Sequence, residues 1–132
     1  ARPPSLRARR ESNMPLPPYD AFKVETLRLH LDGRVHSIEE VRSACIHGLK
    51  LTEEDLQERM RSGRSRFACC ISWSLADLRA AGLIQNVARG KTVITERGRI
   101  FWADTGGKFV RSDFERYPEY LEFKGLRGGR GR

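Results

Sequence analysis

Apolar positions along the chain repeat mostly at helical spacing, broken once by a short stretch of strand pattern. Phe22, Val24, Leu27, Leu29 and Leu31 include helical spacings and predict a first helix over 19–31, ending at Asp32-Gly33. Ser37 followed by Glu40 has the form of a capping box, in which each side chain satisfies the other residue's free backbone N–H. It opens a second helix through Ile38, Val41, Ala44, Cys45 and Leu49, with Gly48 near its end. Thr52 then caps a short acidic helix, EEDLQERM, through Met60. The polar run Arg61-Ser62-Gly63-Arg64-Ser65 leads into a third major helix, where Phe67, Ile71, Ser74, Leu75, Leu78 and Ala81 form a stripe suited to the core. Its opposite side carries Arg66, Cys69, Trp73, Ala76 and Ala80, and Gly82 closes it as a C-terminal cap.

The strand pattern comes next. A short apolar run, LIQNVA, precedes the basic turn Arg89-Gly90-Lys91, then TVIT and a helix start at Thr95 and Glu96 that holds Ile100, Phe101 and Trp102. A last helical stretch, SDFERY, is expected to stop at Pro118 and leave EYLEFKG as an exit segment. Helix, strand, tight basic turn, strand is the back half of a winged helix-turn-helix, a scaffold that sets one helix in the DNA major groove and a basic loop beside it. The expected fold class is mainly α with a small antiparallel β-hairpin. Residues 19–123 are the expected domain. Residues 1–18 hold five of the six prolines and four arginines and are expected to be disordered, and 124–132 form a flexible Gly/Arg tail.

Composition sharpens the picture through charge. Of the net +8 over 132 residues, residues 59–111 carry eleven basic and three acidic side chains, whereas 19–58 carry five basic and nine acidic. Residues 112–123 carry one basic and four acidic. The helix-and-turn half is therefore strongly basic inside a nearly neutral domain, the asymmetry expected of a phosphate-binding face. No run approaches a membrane span and no secretory signal is visible, and the odd count of three cysteines (Cys45, Cys69, Cys70) reads as reduced thiols in a cytoplasmic protein.

Two constellations follow. The first is the start of the third helix, Arg64, Ser65, Arg66, Cys69, Ser72 and Trp73, where free N–H groups and a positive dipole end meet side chains that can reach phosphates and base edges. Its plain alternative is a solvated helix face. Trp73 lies opposite the core stripe and fits better beneath the wing, the short acidic helix or the C-terminal segment than against DNA. The second is the turn Arg89, Gly90 and Lys91, with glycine supplying a positive φ and the cations lying beside the sugar-phosphate backbone. Basic residues are common in exposed turns, so this turn means little alone.

Catalytic and cofactor readings are weaker. Cys69-Cys70 are adjacent, Cys45 is remote, and His30, His36 and His47 have no metal-ligand spacing, so no metal and no cofactor is expected. Gly106-Gly107-Lys108 lacks the spacing of a phosphate cradle. Glu122-Phe123-Lys124 has the E-x-K spacing of metal-dependent nucleases, but that chemistry needs a further Asp on a neighbouring strand, so the chain is not expected to be an enzyme.

Residues 19–123 resemble the N-terminal domain of Mrr-type restriction systems. The likeness rests on the opening helix after PLPPYDAF, the SIEEV helix, LTEEDLQERM followed by SGRSRF, and ISWSLADLRAAGLI. The RGK wing, TERGR and the FERYPEYLEF exit complete it. The resemblance implies a winged-helix module that binds double-stranded DNA and usually precedes a nuclease domain cleaving modified, typically methylated, DNA. No such nuclease domain is present in this sequence, and Cys69-Cys70 stand where the family's cores often carry a polar or basic residue. The expected partners are double-stranded DNA, a nuclease domain or subunit in trans, and a homodimer, with no membrane. The competing expectation is a protein-interaction or dimerisation module, or a transcriptional regulator on the same fold, with the acidic 37–58 region as its partner surface.

Overall fold

Ser37 does what its spacing from Glu40 predicts. Its hydroxyl accepts from the Glu40 N–H at 3.2 Å while the Glu40 carboxylate accepts from the Ser37 N–H at 2.9 Å. The computed structural model describes residues 19–124; the expectations for 1–18 and 125–132 lie outside the described residues. The chain runs through α1 (Tyr19–His30), β1 (His36–Ser37), α2 (Ile38–Gly48), α3 (Glu53–Gln57), α4 (Arg66–Ala80), β2 (Ile84–Ala88), β3 (Lys91–Ile94), α5 (Glu96–Thr105), a 3-10 helix (Arg111–Arg116) and α6 (Pro118–Lys124). Thr52 caps α3 through a second reciprocal box with Asp55. The acidic helix stops at Gln57 rather than Met60, because Glu58 turns extended and its carbonyl accepts from the Arg66 N–H at 3.0 Å, closing the loop into α4.

The sheet has three antiparallel strands in the order β1-β3-β2, one more than the expected hairpin. His36 pairs with Thr92 and Ser37 with Lys91. With the helices the order is helix, strand, three helices, strand, turn, strand, which is consistent with a winged helix-turn-helix carrying α3 as an insert. The core is drawn from α1 (Phe22, Leu27), α2 (Val41, Cys45), α4 (Ile71, Leu75, Leu78) and the sheet (Ile84, Ile94). Burial of that many large apolar side chains, each worth ~1.5–3 kcal/mol, is what positions α4.

Pro118 opens a helix instead of ending one. Its missing N–H costs nothing at the first helical position, so α6 starts there and carries Glu122 and Lys124 on helix, not strand. This segment is tied to the rest by rings: Phe101 meets Phe109 at 4.9 Å and Phe114 at 5.5 Å, and Phe114 meets Tyr120 at 5.4 Å. Among the described residues no helix is long and apolar enough to cross a membrane.

Candidate nucleic-acid interface

α4 is packed on several flanks, by α1, α3 and α6 as well as by the sheet. What remains open is a narrow stripe. Ser72 and Arg79, seven residues apart and so two turns along one face, are exposed, with Ala68 and Ala76 half-buried beside them. Ser65 caps the helix, its hydroxyl accepting from the Ala68 N–H at 3.1 Å, and the first turn holds no acidic residue, so the positive end of the helix dipole is uncompensated. Arg64 is exposed just before the cap.

The wing closes on the same face. Ala88 pairs with Lys91 across Arg89-Gly90, and Gly90 takes φ +68°, a conformation that side chains with a Cβ rarely adopt. A small cleft of about 160 Å³ is lined by Ile38, Leu75, Arg79, Asn86, Gly90 and Thr92 among others, so Arg79 of α4 and Gly90 of the turn share one concavity. Arg61, Arg64, Arg79, Arg89 and Lys91 form no ion pair with another described residue. Arg28, Arg42, Arg97 and Arg116, on other elements, are each held by a carboxylate, while Arg34, Lys50, Arg99, Lys108 and Arg111 also form no ion pair with another described residue. Cations left unpaired are the ones available to phosphates.

Three predicted contacts belong elsewhere. Cys69 is only 2% exposed, because the flank that the helical wheel reads as outward is covered by neighbouring elements. Arg66 folds over the Tyr19 ring, 5.5 Å from its centroid, with its Nε buried and unpartnered. Trp73 packs edge-on against Tyr19 at 5.0 Å and stands beside Phe123 and Lys124, which agrees with its expected place near the C-terminal segment rather than against DNA. Arg64, Ser65 and Ser72 remain along the open side of α4, and Arg89, Gly90 and Lys91 make the turn. Arg79 and Asn86 were not singled out from sequence; the seven-residue spacing from Ser72 is the signal that could have found Arg79.

Burial pushes Cys45 up to about 12 and Cys70 up to about 11, so both stay protonated, and no group of three metal-ligating side chains occurs among the described residues.

A family model for the Mrr N-terminal domain matches residues 19–103. No curated protein and no solved structure matches the chain. The matched span runs from the first residue of α1 into α5 and so contains α1 to α4, the sheet and the basic turn, and the chain belongs to the Mrr N-terminal domain family.

Proposed function

We propose that this chain binds double-stranded DNA as the reading module of an Mrr-like restriction system. The observation that carries the reading is the cleft that Arg79 shares with Asn86 and Gly90 of the hairpin, which brings the open stripe of α4 and the basic turn to one surface. In this reading Ser65, Ala68, Ser72 and Arg79 enter the major groove, while Arg64, Arg89 and Lys91 lie on the flanking phosphates. Small side chains at Ala68 and Ala76 leave room for a methyl group on a base edge, which supports discrimination of methylated bases as the finer form of the proposal. The test is duplex binding across a salt series. Arg64→Ala and Arg89→Ala are each expected to lower the slope of log K against log salt by roughly one unit, and Arg79→Ala to weaken binding by ~1–3 kcal/mol in a sequence-dependent way, with Arg116→Ala unchanged. Salt-insensitive binding, or full retention in all three variants, would reject this face. A methylated probe compared with its unmodified twin tests the finer form.

A further inference from the structure

We propose that the cleft between α1, α4 and α6, on the flank of α4 next to the open stripe, holds one nucleotide, with its base on aromatic side chains and its phosphate on Arg111 and Lys124. The cleft encloses about 440 Å³ and is walled by Tyr19, Trp73 and Phe123. That is room for a single small ligand and too little for a duplex. Aromatic faces accept any base, because every base presents a π-face.

The charged groups are arranged unevenly around those walls. Lys23 is 2% exposed and spends its charge on Asp20 at 3.6 Å and Asp77 at 3.5 Å, so it is part of the wall. Asp77 also faces Lys124 at 3.6 Å. Both of its lysine contacts are longer than a good hydrogen bond, which leaves the carboxylate able to accept from an exocyclic amino group. The Arg111 guanidinium lines the cleft and forms no ion pair with another described residue, while its backbone N–H is fixed on Asp20 at 3.1 Å. The Tyr120 hydroxyl is buried beside Asp77 and within reach of the Arg111 guanidinium, which fixes Arg111 at the edge of the cleft. Planar walls, an acceptor and a guanidinium with no carboxylate partner among the described residues are the complement of a base joined to a phosphate. The source is either a free mononucleotide or an unpaired nucleotide of a strand.

The proposal stands apart from the duplex reading, and its test uses no duplex. Calorimetric titration of the full chain with deoxyadenosine monophosphate is expected to saturate. Deoxyadenosine and inorganic phosphate, each carrying half of the recognised chemistry, should bind at least about tenfold more weakly. Binding of a single-stranded tetranucleotide without binding of the mononucleotide would assign the site to a strand, and supports the proposal equally. Arg111→Ala and Trp73→Leu should each weaken binding about tenfold or more, Trp73→Phe should recover part of it, and Arg42→Ala should change nothing. Arg111 is exposed, so its variant keeps the test valid if Trp73→Leu unfolds. No saturable binding of mononucleotide or tetranucleotide, or binding unaltered in both variants, overturns the proposal.

Discussion

His30 shows how much one side chain can connect. Its ring is fully buried; Nδ1–H donates to the Thr26 carbonyl at 2.7 Å, and Nε2 accepts from the Thr92 hydroxyl at 2.8 Å, joining α1 to β3. Burial is the main cause that lowers its pKa below the ordinary 6.5, with the neighbouring His36 ring, 5.3 Å away, adding to the effect. The folded chain therefore resists the proton that the unfolded chain accepts. Stability is complete above about pH 6.5 and is lost as the pH falls from there through the lower folded value. Asp32 and Glu40 are lowered chiefly by the backbone N–H groups of Arg34 and Ser37, so their contribution is present above the usual carboxylate range and fails only in stronger acid. Thermal unfolding between about pH 8 and 5 should show the midpoint falling below about 6.5. His30→Gln should flatten that part of the curve, and an unchanged slope would remove His30 as its cause. Gly98 is the second residue of this kind. A Cβ there would overlap the Leu83 carbonyl oxygen, which is backbone and cannot yield cheaply. Gly98→Ala should cost ~1–3 kcal/mol in denaturant titration despite the better helix propensity of alanine.

At the scale of elements, the 3-10 helix and α6 are attached by aromatic packing and a few polar contacts. Arg97 bonds both Glu119 oxygens at 3.2 and 3.3 Å and lies over the Tyr117 ring at 4.6 Å. Those contacts are largely exposed and weak, so the rings carry the attachment. Phe114→Ala should cost ~3–5 kcal/mol, and limited proteolysis should then cut within 106–123 before the rest of residues 19–123. Resistance equal to that of the unaltered chain would contradict this. The helices and hairpin were legible in the sequence because caps and turns have local signatures: Ser37 with Glu40, Thr52, Gly82 and Gly90 all sit where their spacing places them. β1 was not, since two residues have no periodicity and His36–Ser37 becomes a strand only through its partner β3. The role of Pro118 was misread because proline both ends and starts helices, and only the packing of Tyr120 decides between them. The burial of Cys69 and the stacking of Arg66 were hidden for a related reason. A helical wheel shows which side of α4 is apolar, but not that α3 and α6 cover part of the other side.

For the molecule as a whole, the uneven distribution of charge has a measurable consequence. Each phosphate neutralised contributes about −0.9 to the salt slope, so Arg61, Arg64, Arg89 and Lys91 together account for a slope no steeper than about −4. A steeper slope would assign the remainder to other cations, the arginines of 1–18 and 125–132 among them. The geometry of the sheet adds a mechanical consequence. Ser37 is both the strand residue opposite Lys91 and the cap of α2, so the tip of the hairpin is bolted to the start of a helix. A load on that tip cannot be absorbed by the hairpin bending alone. It must either tear the two-residue seam with β1 or tilt α2 as a lever against the core, so the wing and the helix bundle swing as one piece.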